Sequence, residues 1–340
     1  MSDNNTSQTV DFDTPAQRDS CVREIKRLQS ASPVGFELPP GGTPFVSVLI
    51  ATCNRGPIVR QLINQLSIQT YTNYEIVVID GSDEAQEKAE IPSNTKYLRT
   101  PVRDLGIVRN LQILSSSGEV LIFVDDDSYV AEDFIERHVM LHFGNSGKGI
   151  AAVQGHFIGA PHDRRGNGIV RKMCTYQPQE LTLKTLHTGN CSIKRAPLES
   201  IGGFNNCIRF SGEDHELGRR LHKFGHTILN ASQVISVHRG APRGGTRNYS
   251  QSAWVVDAGR LADAALAHAS IRSPLMGMLA LVKYLVQRVF SPPAELSVLW
   301  KESLAHFCRN LSQNKERMRV RHLQLLKNQL EKSPERFLLS

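Results

Sequence analysis

The sequence predicts an α/β fold: a mixed, mostly parallel sheet flanked by helices, with a helical extension at the C-terminal end. Three observations carry this. Apolar runs rich in β-branched residues recur at 45–51 (FVSVLIA), 75–79 (EIVVI) and 120–124 (VLIFV). Strands buried on both faces read this way, and they belong to parallel sheets covered by helices. Segments of helical period separate the runs, and each run ends in polar or acidic residues. In open α/β sheets the ligand sits at the carboxyl ends of the strands.

The elements follow in order. Residues 1–20 read as a disordered tail and Cys21 to Ser30 as a short basic helix, and Pro39-Pro40-Gly41-Gly42 breaks regular structure before the first strand. Ile58 to Gln69 has apolar residues at 58, 59, 62, 63 and 66, a helical period. A short strand at 97–99, helices at 106–115 and 131–143, and a strand starting at 150–154 complete the alternation. Glu213-Asp214 opens an amphipathic helix with Leu217 and Leu221 on one face. From Tyr249 onward the pattern turns helical, Pro292-Pro293 interrupts it, and residues 295–330 give one or two further basic helices. The expected organisation is an N-terminal extension (1–43), one α/β domain (44–248) and a basic helical region (249–340).

Composition narrows the function classes. The 340 residues are 40% apolar and 21% charged, enough to bury a core. The net charge is +7, and residues 301–340 hold nine Lys/Arg against four Asp/Glu. A basic segment suits anionic lipid, a phosphorylated ligand or nucleic acid. No zinc-finger, RNP or helix-turn-helix signature supports nucleic acid, so no nucleic-acid partner is expected. The six cysteines are scattered without a CxxC pair, which fits reduced thiols in a cytoplasmic protein. The first residues lack an apolar core, and no secretory leader is expected. Leu275 to Phe290 is the most apolar stretch; it is too short to span a bilayer and carries Lys283, Gln287 and Arg288. It packs on the domain or on a second copy, or lies on an anionic membrane surface.

Asp125-Asp126-Asp127 is the sharpest feature. Side chains alternate in an extended chain, so Asp125 and Asp127 point the same way. Adjacent carboxylates repel unless a cation is present, and oxygen ligands suit Mg²⁺ or Mn²⁺. The first strand ends in Thr52-Cys53-Asn54-Arg55 and the second in Asp80-Gly81-Ser82-Asp83. No GxGxxG follows the first strand, and GNSGKG at 144–149 lacks P-loop spacing. Asp214 at a helix start reads equally as a cap or as a general base. Arg239, Arg243 and Arg247 lie among glycines in HRGAPRGGTRN (238–248), a pattern that suits a lid over a diphosphate.

VSVLIATCNR, EIVVIDGSDE, RNLQILSSSGEVLIFVDDDS, IGGFN and GEDHELGRRLHKFG occur in this order. Together they resemble the family 2 glycosyltransferases of the GT-A fold, over roughly residues 44–240. The resemblance implies an inverting transferase that takes a sugar from a nucleotide-sugar donor, usually UDP-linked. Asp125 and Asp127 match the outer members of the DxD motif that holds a divalent cation, with Asp126 as the variable middle. Asp80 matches the acid that binds the nucleoside. Thr52, Asn54 and Arg55 match the nucleotide-lining end of the first strand, and Arg109 and Asn110 match the RN pair. Asp214 matches the catalytic base of the ED motif, beside Glu213. His238 sits where many members place a further metal or diphosphate ligand. The segment before Arg109 is about two residues shorter than the common form, and Ile79 stands where the family often has an acid.

The expectation is therefore transfer to a glycan or lipid-linked acceptor in cell-surface polysaccharide assembly, in the cytoplasm, either free or peripheral on the inner face of a membrane. The competing expectations are a catalytically silent sugar-nucleotide-binding scaffold and a polyanion-binding protein. The oligomeric state is left open between monomer and homo-oligomer.

Overall fold

The computed structural model describes residues 14–30, 43–84, 91–143, 149–159, 181–209, 211–241, 274–288, 303–305, 307–308 and 322–339. Its elements are α1 (Pro15–Ser30), β1 (Val46–Thr52), α2 (Gly56–Leu66), β2 (Tyr74–Asp80), β3 (Thr95–Arg99), α3 (Leu105–Leu114), β4 (Val120–Asp125), β5 (Ser128–Tyr129), α4 (Phe134–Phe143), β6 (Ile150–Gly159), β7 (Leu181–Thr182), β8 (Asn190–Lys194), α5 (Arg195–Ser200), α6 (Glu213–Lys223), β9 (Thr227–His238), α7 (Pro274–Arg288) and α8 (His322–Lys332).

The strands form one sheet in the order β3-β2-β1-β4-β8-β6-β9-β5, with β7 also paired to β9. From β3 to β4 all pairs are parallel, as the apolar runs predict. Beyond β4 the sheet is mixed. β8 runs antiparallel to both β4 and β6, β6 and β9 are parallel, and β5 and β7 are antiparallel to β9. Alternate residues of each central strand face opposite cores. Val48, Ile50, Val78 and Val124 pack against Val59 and Leu62 of α2 and Phe134 of α4. Leu49, Val77 and Phe123 pack against Leu111 of α3, Leu217 and Leu221 of α6, and Leu326 of α8. Sheet faces covered on both sides leave only the strand ends open, and this positions the site.

The N-terminal end of the chain differs from expectation. The N-terminal helix begins at Pro15, inside the stretch read as a disordered tail. Its signal was local. Thr14 and Gln17 cap each other reciprocally, at 2.7 and 3.3 Å, and proline sits at the first helical position. α1 buries Cys21 and Ile25 against Tyr129, Ala131, Ile235 and Val237, so it belongs to the domain that 1–43 was set apart from. At the other end, α8 packs on α3. The Leu323 amide donates to the Gly202 carbonyl at 2.9 Å, and the Leu339 amide donates to the Arg99 carbonyl at 2.8 Å. By contrast, α7 leaves Leu275 68% and Leu279 53% exposed while burying Leu281. Among the described residues, no helix is long and apolar enough to cross a membrane.

Truncating Leu326 to alanine should cost about 2–4 kcal/mol in urea unfolding, because it removes a buried side chain from the second core. The same change at the exposed Leu325 should cost less than about 0.5 kcal/mol. Equal effects at the two positions would mean that α8 does not dock.

Candidate active site

The polar ends of β1, β2 and β4 meet at one edge, because the three strands are parallel and in register: Thr52 faces Asp80, and Ala51 faces Asp125. The Gly81 amide ties β2 to the Thr52 carbonyl at 2.9 Å. The chain leaves β1 through Asn54 at φ 56°, a left-handed conformation that asparagine tolerates better than most residues. β5 then pairs Ser128 with His238 at the end of β9, which brings that distant histidine to the acidic turn.

The three aspartates part company there. Asp125 and Asp127 turn to the same side, as strand alternation predicts, and join His238. His238 Nε2 lies 3.5 Å from Asp125 Oδ2 and 3.4 Å from Asp127 Oδ1. Asp126 turns the other way and is buried. It accepts hydrogen bonds from the Thr52 hydroxyl at 2.8 Å and from Arg55 Nη1 at 2.7 Å. Arg55 also lies 3.5 Å from Asp127 Oδ2 and donates to the Ala241 carbonyl at 3.1 Å. Part of the positive charge that three adjacent carboxylates require is therefore supplied by the chain itself.

Thr52, Arg55 and Asp126, read as donor-binding residues, are buried and bond to one another. They brace the turn. Asp80, read as the nucleoside acid, is fully buried. Its Oδ1 accepts from both the Ser82 amide and the Ser82 hydroxyl, and its Oδ2 accepts from the Tyr97 hydroxyl at 2.8 Å. The carboxylate exposed at that edge is Asp83, which holds Asn54 Nδ2 at 2.8 Å and is ion-paired with Arg103. Asn54, Gly56, Pro57, Asp83 and Glu84 line a cleft there. Asn110 is buried and holds the Phe204 amide and carbonyl, both at 2.9 Å. Arg243 and Arg247 lie outside the described residues.

The electrostatics sort the remaining groups. Burial raises the Asp126 carboxyl to about 6, with Arg55 opposing and Asp127 reinforcing the rise. Burial disfavours charge on His238, but Asp127 and Asp125 outweigh it and raise the imidazole to about 9. The enclosing chain would raise Asp125 as well, yet His238 and the two arginines hold it at about 2. The protonated histidine thus stands between two carboxylates, in the place a cation would take.

The donor set fits a divalent metal. It offers two carboxylate oxygens and one imidazole nitrogen, all within 4.8 Å of one another. Asp127 Oδ1 is buried without a hydrogen-bond partner, and so is His238 Nδ1. An orphaned buried carboxylate oxygen calls for an explanation, and a cation supplies one.

The second acid lies across the same edge. Asp214, in the first turn of α6, accepts from the His215 amide at 2.7 Å through Oδ1 and from the Thr188 amide at 3.3 Å through Oδ2. Arg109 bridges the two halves. Its Nη2 donates to the Thr188 hydroxyl at 3.0 Å and lies 3.6 Å from Asp125 Oδ1. Gly189 must be glycine for this approach, since a Cβ there would lie 2.9 Å from Asp125 Oδ2. Thr188, His187 and His215 were not singled out from the sequence. Thr188 and Gly189 lie in the irregular stretch before β8, where no periodicity marks them.

Replacing Arg55 by methionine should cost about 3–5 kcal/mol at neutral pH, because Asp126 is left buried without its cation. Adding Asp126→Asn to that variant should restore most of the loss, as read by thermal or urea unfolding in a double-mutant cycle.

The chain is similar to known proteins in sequence and in fold. Residues 47–202 match the model of the glycosyl transferase family 2. The chain is 28% identical to the glycosyltransferase AglE of Haloferax volcanii over 214 residues, 59% of this chain and 69% of AglE. It is 35% identical to the putative glycosyltransferase EpsH of Bacillus subtilis over 28% of this chain and 29% of EpsH. It is 22% identical to the O-antigen biosynthesis protein RfbC of Myxococcus xanthus over 63% of this chain, spanning only 19% of RfbC. Two solved structures share the fold. The mannosyltransferase PcManGT of Pyrobaculum calidifontis, in complex with GDP-Man and Mn²⁺, superposes with a TM-score of 0.50 at 17% identity, over 85% of this chain and 88% of PcManGT. Residues 1–349 of S. aureus TarS, in complex with UDP-GlcNAc, superpose with a TM-score of 0.51 at 18% identity, over 77% of this chain and 80% of that one. The acidic edge at β1, β2 and β4 falls within the span that matches the family 2 model.

Proposed function

We propose that the protein is an inverting, metal-dependent glycosyltransferase. It moves a sugar from a UDP-linked donor to a glycan or lipid-linked acceptor in polysaccharide assembly. One observation carries the reading: a three-ligand cluster and a separate carboxylate occupy one sheet edge, joined through Arg109 and Thr188. The names of the relatives, which include an O-antigen biosynthesis protein, support the setting. The nucleotide sugars named with the structural neighbours support the donor class.

The division of labour follows from the chemistry of a glycosyl donor. Its leaving group is a nucleoside diphosphate. Asp125, Asp127 and His238 would hold a Mn²⁺ or Mg²⁺ ion, which neutralises the charge that develops on that group. An acceptor hydroxyl has a pKa far above 7, so a carboxylate must take its proton as it attacks the anomeric carbon. Asp214 has that role. A single displacement inverts the centre, and no second carboxylate is needed beside the bond. Asp80 and Asp126 act at one remove: they hold Ser82, Tyr97, Thr52 and Arg55 in place around the nucleotide. Arg243 and Arg247 would bind the diphosphate. Leu275, Leu279 and Val282, with the exposed Lys283, form a stripe that meets an anionic membrane carrying the acceptor.

Asp127→Ala should abolish the Mn²⁺-dependent thermal shift given by UDP-, GDP- or dTDP-sugars. Asp214→Asn should keep that shift and lose about 10²-fold or more in turnover, read as nucleoside diphosphate release. Release at an undiminished rate from Asp214→Asn would remove the base assignment. A wild type that binds donor and releases none, with any acceptor, would mark a silent binding protein instead.

Leu275→Asp combined with Leu279→Asp should prevent co-sedimentation with anionic vesicles and leave donor turnover intact. Sedimentation that is the same with neutral and anionic vesicles would contradict the membrane stripe.

A further inference from the structure

Beside Asp214 stand two imidazoles that the mechanism above leaves without a task. His187 precedes β8, and its backbone amide is fixed by Gln154 Oε1 at 2.6 Å. His215 follows Asp214 on α6. Their rings meet edge to face, with centroids 4.5 Å apart and planes at 77°. His215 Nε2 is 3.3 Å from both ring nitrogens of His187. His187 Nδ1 is 3.8 Å from Asp214 Oδ2. Phe157 closes the other side, edge-on to His187 at 6.0 Å, and separates it from His238. The charged and titratable groups around His187 are Asp214 and His215 from α6 and Asp125 from β4. The pair is not a second metal centre. Among the described residues, only Asp125, Asp127 and His238 bring three ligand atoms within 4.8 Å.

We propose that His187 and His215 form a proton relay that clears the catalytic base after each transfer. The proposal rests on the glycosyltransferase reading. During transfer the acceptor O–H bond breaks and its proton goes to Asp214 Oδ2. The oxygen bonds to the anomeric carbon, and the bond from that carbon to the diphosphate breaks with its electron pair leaving on the diphosphate. One proton then remains on Asp214, whose side chain is 17% exposed with Oδ1 already engaged. His187 Nδ1 lies 3.8 Å from Oδ2, and an imidazole is ordinarily a stronger base than a carboxylate. Because Nδ1 also lies 3.3 Å from His215 Nε2, the nitrogen that receives the proton delivers it, and the ring keeps its tautomer. His215 releases it to water. Burial pushes the His187 imidazole below its ordinary value, with Asp214 opposing, so the ring is neutral between turnovers. His187 and His215 are positioning residues in this scheme: they touch the base, and the base touches the substrate.

The test is steady-state UDP release from UDP-glucose, or from whichever UDP-sugar gives the largest thermal shift, with Mn²⁺. It compares wild type with His187→Phe and His187→Gln. Phenylalanine keeps the ring contacts and removes both nitrogens; glutamine keeps hydrogen bonding without carrying a proton. Both variants should lose about tenfold or more in kcat and keep the donor KM within about twofold. Added imidazole should restore the phenylalanine variant. Wild-type kcat in either variant would overturn the relay, as would a loss that imidazole leaves untouched. A wild type that releases no UDP sinks the transfer reading and the relay with it, whereas an active wild type with unaffected His187 variants sinks the relay alone.

Discussion

Three consecutive carboxylates at the end of a buried strand are the constraint around which the site is built. In a low-dielectric setting they cannot all stay charged without cations beside them. The chain resolves this by separating them. Asp126 turns inward to Arg55 and Thr52, and Asp125 and Asp127 turn outward to His238. The inward pair is a closed structural unit. The outward trio is open and incompletely satisfied, with one buried carboxylate oxygen unbonded. A closed ion pair thus lies behind the turn and an incompletely satisfied donor set in front of it.

The sheet makes this arrangement stable. β1, β2 and β4 are covered on both faces, so their order is set by two hydrophobic cores and not by the site. The reversal at β8 brings Thr188 and Gly189 past Asp125. The β5–β9 pairing brings His238 to Asp127. Each half of the site hangs on a different long-range pairing, and Arg109 spans the gap between them. α1 and α8 close the outside of the same frame, so both chain ends contribute to its rigidity.

Much of this was legible in the residues. The runs at 45–51, 75–79 and 120–124 fall within one residue or two of β1, β2 and β4, because a strand buried on both faces must be apolar throughout. The outward turn of Asp125 and Asp127 follows from alternation alone. What stayed hidden depends on partners distant in sequence. Half of β8 is polar (NCSIK), since Asn190 and Ser192 answer buried histidines on α4, so no apolar run announces it. Asp80 looks like an exposed strand-end acid until Tyr97 and Ser82 fold over it. His187 sits in an irregular segment, where a histidine has no pattern to betray its neighbours. The start of α1 was readable after all, from a capping pair and a proline at 14–17.

The central claim is that Asp125, Asp127 and His238 together hold the ion that neutralises the leaving diphosphate. A crystal soaked with MnCl₂ and UDP, with anomalous differences collected at the manganese edge, tests it most directly. The account predicts a peak among those three side chains, in contact with diphosphate oxygens. A peak elsewhere on the sheet edge, or UDP bound with none, would contradict it.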